Sequence, residues 1–157
     1  MEPMQTTRLD VEYIMTLQFL MDPPQRIDEA LSIFPVTGGW AKGPKINAAI
    51  IPPAADWISS LPNGSSRIDV RFTLKTDDGV LIYVSYNGVT RQTEGSRDRL
   101  MKGEIVTSTD AYLFVAPTFR TSHAKYSWLN NTQAIGKLVE LKLGQGSFIK
   151  YDIFAVK

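Results

Sequence analysis

Hydrophobic and polar residues alternate with a period of two along most of this chain, the pattern of strands with one buried face. Residues 10–21 (DVEYIMTLQFLM) form the first such run. Pro23-Pro24 ends it, because proline cannot donate to a sheet ladder. Runs at 30–36 and 45–51 follow, separated by a turn at Thr37-Gly38-Gly39 and by Gly43-Pro44, and Pro52-Pro53 closes the second. Residues 67–76 and 80–91 flank Asp77-Asp78-Gly79, which predicts a hairpin with the glycine in the left-handed position. Asn87-Gly88 reads as a bulge inside the second of these strands rather than as a further turn. Strands at 104–108, 111–119, 125–131, 134–143 and 147–157 complete the pattern, the last two joined through Gly144-Gln145-Gly146. The charged stretch 92–103 holds one helical turn at 96–101, and no segment keeps a helical period for ten residues.

This organisation predicts an all-β chain built as a single antiparallel β-barrel of about eight to ten strands, lipocalin- or cyclase-like, with little helix. Closure removes the edges that such long strands would otherwise expose. Residues 1–157 form one domain in this reading, with 1–8 a flexible N-terminal segment.

Composition narrows the function. Lys and Arg number 17 against 16 Asp and Glu, so no concentrated basic face is on offer for nucleic acid or an anionic membrane surface. With no cysteine and one histidine, His123, the chain has neither a disulfide framework nor a multi-histidine metal set, and no metal site is expected. No secretion signal or membrane-spanning run is visible, and a cytoplasmic location is the default expectation. Nothing resembles a phosphate loop, a dinucleotide fingerprint or a nucleophile elbow, so no cofactor is expected either.

Four motifs stand in order along the chain: TGGWAKGP (37–44), ADW (55–57), RFTLKTDDGVLIYV (71–84) and YSWLN (126–130). Together they resemble the family of small β-barrel proteins called domain of unknown function 3237, over nearly the whole chain. The resemblance implies an antiparallel barrel, often self-associating into a homo-oligomer, with a cavity of small-molecule size. Some fungal relatives resemble accessory enzymes of natural-product pathways, which implies cyclisation or isomerisation of a preformed intermediate. The family's approach to Ala-Asp-Trp is rich in glycine; here it is Pro52-Pro53-Ala54, a stiffer connection.

Candidate chemistry centres on Asp56. A carboxylate shielded by the neighbouring indole of Trp57 has its charged form disfavoured and its pKa raised toward a range useful for proton transfer. The same residue could instead cap a short turn at 56–60. Arg71 and Tyr83 lie about equally far from the Asp77-Asp78-Gly79 turn, so they can be cross-strand neighbours. They would stabilise negative charge on a substrate, or form a cation–π pair on the outer face. His123 is the obvious titrating group near neutrality, in a loop where a histidine is also commonly solvated. Tyr126 and Trp128 share a face by period two and form either an aromatic wall for a ligand or ordinary core. Trp40 covers a barrel mouth or a subunit contact.

The sequence therefore points to a cofactor-independent isomerase or cyclase acting on a hydrophobic, oxygenated small molecule. Asp56, Arg71, Tyr83 and His123 are its catalytic candidates, and Trp40, Trp57, Tyr126 and Trp128 its substrate-binding ones. The alternatives are a barrel that binds and carries such a molecule without chemistry, and a structural oligomer whose aromatics serve packing.

Overall fold

A computed structural model describes residues 1–157. In chain order its elements are β1 (Val11–Met21), β2 (Gln25–Arg26), β3 (Leu31–Gly43), β4 (Ile46–Ser60), β5 (Ser65–Thr76), β6 (Leu81–Gln92), α1 (Glu94–Met101), β7 (Val106–Thr107), β8 (Ala111–Val115), β9 (Thr118–Arg120), a 3-10 helix (Ala124–Asn131), β10 (Ala134–Lys142) and β11 (Phe148–Val156). Antiparallel pairing runs β1-β11-β10-β8-β6-β5-β4-β3, and β3 pairs back onto β1. The sheet thus closes into an antiparallel barrel of eight strands, with β9 continuing the β8 position beside β6. No helix is long and apolar enough to cross a membrane.

Alternation decides what fills the barrel. On β5, Ile68, Val70, Phe72 and Leu74 point inward and are buried, while Arg67 and Arg71 point out. The same phase on β6 buries Ile82, Val84 and Tyr86. Phe19, Phe72, Tyr86 and Tyr151 meet in the interior, with Phe19 edge-on to Phe72 at 4.9 Å and Tyr86 edge-on to Tyr151 at 5.9 Å between ring centroids. Such aromatic pairs contribute about 0.5–1.5 kcal/mol each beyond the area they bury. Val115 fits because its cross-strand neighbours on both sides, Gly88 and Gly136, lack side chains. A Cβ on Gly88 or Gly136 would come within 2.7 Å and 2.6 Å of the Val115 methyls.

The two ends of the barrel differ. At one end the Asp77-Asp78-Gly79 turn joins β5 to β6, with Gly79 at φ +85° as the hairpin requires. The 3-10 helix packs there and closes the end. Tyr126 and Leu129, three residues apart and so on one face of a 3-10 helix, are both buried in the core. Asp78 ties the helix down by accepting hydrogen bonds from the Tyr126 hydroxyl (2.7 Å) and the Lys125 ammonium (3.0 Å). At the other end, the mouth, Phe34, Ile58, Ser66 and Thr90 have the inward phase but stay partly exposed, so the barrel is less completely filled there.

Several strand boundaries differ from the sequence reading. Residues 125–131 are a 3-10 helix rather than a strand, because apolar residues recur at three-residue rather than two-residue spacing. Neither Thr37-Gly38-Gly39 nor Pro52-Pro53 ends a strand. β3 and β4 run through them with irregular register, between Pro35 and Trp40 and between Ile51 and Ala55. Prolines without an amide proton are accommodated at such a bulge, where ladder bonds are already missing. Asn87-Gly88 is regular strand, with Asn87 opposite Asp69 and Gly88 opposite Ile68. The outer chain breaks instead at Ala116-Pro117, where β8 hands over to β9.

Candidate functional site

The bulge in β4 leads directly into Asp56. Its backbone is strand, so it caps no turn at 56–60. Asp56 lies opposite Phe34 on β3 and Val70 on β5, and Val70 in turn lies opposite Tyr86 on β6. The row Phe34–Asp56–Val70–Tyr86 faces the interior just inside the mouth. Asp56 is 9% exposed, and its Oδ1 has no hydrogen-bond partner. Burial pushes its pKa from the ordinary 3.8 up to about 7. The Asp69 backbone amide opposes that shift, and the Asp69 carboxylate adds to it.

Two buried phenols share this space. Burial holds both Tyr86 and Tyr151 well above the ordinary tyrosine range; Tyr151 and then Asp56 raise Tyr86 further, and Asp56 raises Tyr151. Both stay neutral near pH 7 and can act as hydrogen-bond donors toward developing negative charge. Asp56 changes protonation near neutrality and can take or give a proton. A carboxyl that titrates near 7, two neutral phenols and apolar walls form a site for proton transfer on an uncharged molecule.

The other sequence candidates do not converge on this point. Arg71 is exposed on the outer face opposite Ser85, and Tyr83, 41% exposed, lies opposite Thr73. The expectation that they join Asp56 is thereby corrected: inward residues on β5 and β6 have even numbers, and these two are odd. They are also two residues out of direct register with each other, diagonal rather than opposite. His123 is exposed at the start of the 3-10 helix, where its Nδ1 accepts the Lys125 amide at 3.2 Å. It lies at the closed end of the barrel, away from the mouth.

Among the aromatics, Trp57 follows Asp56 and therefore points the opposite way. It is 40% exposed and lines an open outer groove of about 650 Å³ with Tyr112 and Phe114. Its indole therefore does not shield Asp56; the barrel interior does. Trp40 sits in strand β3 rather than in a turn, on the outer face, with the Lys42 and Lys150 ammonium groups 5.0 Å and 5.9 Å from its ring. It covers no mouth. Tyr126 belongs to the core of the closed end, and Trp128 lies there half-buried with Lys45 5.3 Å from its ring. They share no strand face. Sequence reasoning passed over Tyr86 and Tyr151. The available signal was a hydroxyl on an otherwise aliphatic face, Ile82-x-Val84-x-Tyr86 on β6 and Ile149-x-Tyr151-x-Ile153 on β11.

The family model described as "Protein of unknown function (DUF3237)" matches residues 9–156. The chain belongs to this family. A UPF0311 protein of Rhodopseudomonas palustris is 27% identical over 135 residues, covering 83% of this chain and 88% of its own. A UPF0311 protein of Clostridium acetobutylicum is 25% identical, covering 78% and 81%. Among solved structures, a conserved protein of R. palustris superimposes with a TM-score of 0.87 at 25% identity, over 98% of this chain and all of its own. A β-barrel-like protein of Acinetobacter baumannii gives 0.78 at 28% identity, covering 98% and 99%. A protein of Penicillium herquei described as an enzyme gives 0.69 at 21% identity, covering 99% and 100%, a likeness of fold alone.

Proposed function

We propose that this member of the DUF3237 family is a cofactor-independent isomerase or cyclase. Its substrate is a hydrophobic, oxygenated small molecule that enters through the barrel mouth, and Asp56 is the proton-transfer group. The observation that carries the reading is the inward-facing Asp56 carboxyl, whose Oδ1 has no hydrogen-bond partner and whose pKa is pushed up to about 7. A carboxylate buried without a partner costs stability, and such sites concentrate where chemistry is done. Tyr86 and Tyr151 would donate hydrogen bonds to an enolate or phenolate as it forms. The barrel of P. herquei described as an enzyme supports the view that this architecture accommodates catalysis. The resemblance to fungal members of natural-product pathways supports a place in such a pathway.

Such reactions conserve mass, and that defines the test. Purified protein is incubated with a panel of hydroxylated aromatic ketones and enones, and products are sought that have the same mass and a different chromatographic retention. Wild type is expected to form one, and Asp56→Asn to bind the same compound with turnover reduced by about 100-fold or more. Turnover that survives in Asp56→Asn contradicts the assignment. Binding without turnover by wild type supports a carrier instead.

A further inference from the structure

Buried polar side-chain atoms almost always find a hydrogen-bond partner. Two in this protein do not: Oδ1 of Asp56 and the hydroxyl of Thr90. They are not scattered. Thr90 has the same inward phase on β6 as Ile82, Val84 and Tyr86, and it lies opposite Ser66 on one side and Leu113 on the other. Both orphans therefore face the interior at the open end of the barrel.

Their spacing follows from the register. Tyr86 shares the row of Asp56, and Thr90 is four residues further along β6 toward the mouth. That is about 13 Å along the strand, with two strand spacings, about 10 Å, across it. From β4 to β6 the row between them is Ile58, Ile68 and Gly88, with no polar side chain, and Ser32 on β3 extends it beside Ile58. A valine would fill the space of Thr90 without leaving a hydroxyl unpaired, so packing alone does not call for threonine there.

We propose that Thr90 is a second polar anchor of the Asp56 site. The substrate class is then a molecule with two oxygen functions held apart by an apolar body about two rings long. One oxygen function meets Asp56 and the buried phenols, where the proton moves. The other is a neutral hydroxyl or carbonyl that the Thr90 hydroxyl can meet as donor or acceptor. The inference rests on the mouth being the binding site.

The test uses two rigid probes that differ in one group, 4,4′-dihydroxystilbene and 4-hydroxystilbene. Binding is followed by calorimetry, with the melting temperature of each variant as a folding control. Wild type is expected to bind the dihydroxy probe about 5- to 10-fold more tightly. Thr90→Val is expected to lose that preference while still binding the monohydroxy probe, and Thr90→Ser to keep it. A role in packing alone would weaken both probes together. If the preference persists in Thr90→Val, the anchor is overturned and the assignment of Asp56 stands. If wild type binds neither probe, the mouth does not take molecules of this class, and the anchor falls with the reading beneath it.

Discussion

At the scale of single residues, Asp56 and Trp57 are adjacent in sequence but lie on opposite faces of β4, one inside the barrel and one outside. The inward position sets the energetics. Because folding raises the Asp56 pKa from 3.8 to about 7, the native state holds a proton that the unfolded chain releases. Asp56 therefore makes stability fall as pH rises from about 4 to about 7, by about 4 kcal/mol in all, with no further loss above that range. Asp56→Asn removes the charge and keeps the shape. Denaturant unfolding at pH 8 should find this variant more stable than wild type by about 2–4 kcal/mol, with the pH dependence between 4 and 7 flattened. A gain in stability coupled to a loss of turnover is the behaviour of a residue kept for function. Asp56 was legible in the sequence because a charge stood in a run otherwise apolar. Its setting was not, since the proline bulge hides the phase of the strand. Tyr86 and Tyr151 were masked because tyrosine is common in cores.

Elements show where alternation is a sufficient guide. β5, β6 and β11 follow the two-residue period, β1 and β10 follow it on either side of one bulge each, and the sequence places each of the five within a residue or two. It fails at Thr37-Gly38-Gly39 and Pro52-Pro53, because a bulge and a chain break have the same local composition. Only the neighbouring strand, which continues to pair beyond the irregularity, distinguishes them. It fails again at 125–131, where the hydrogen bonds of Tyr126 and Lys125 to Asp78, 48 and 47 residues away in sequence, help hold the 3-10 helix. The Thr76 hydroxyl, together with these two bonds, holds the Asp78 carboxyl well below the usual range, so the clamp persists through mildly acid conditions. Asp78→Ala should speed amide exchange at Tyr126 and Leu129 and lower the melting temperature, while leaving ligand binding at the opposite end unchanged. Gly136→Ala drives a methyl against Val115 and Ile153 and should cost about 1–3 kcal/mol. Val115→Ala should relieve part of that cost in a double-mutant cycle, and strict additivity would contradict the packing account.

At the scale of the whole molecule, closure into a barrel was legible from the number and length of the strands, but the asymmetry between its ends was not. The closed end depends on a helix that the strand pattern obscured. The open end depends on which phase of β3, β4, β5 and β6 looks inward, a choice that alternation alone leaves two-fold degenerate. Once that phase is fixed, Arg71 and Tyr83 fall outside and the interior retains one carboxyl, Asp56, among apolar and phenolic groups. The proposed site therefore depends on the ionisation of that group. It can be read without a substrate, by following the side-chain carboxyl carbon of Asp56 through a pH titration by NMR, with Asp56→Asn to assign the resonance. A midpoint near 7 is predicted. A midpoint near 4, that of a solvated carboxylate, would contradict the proposed site.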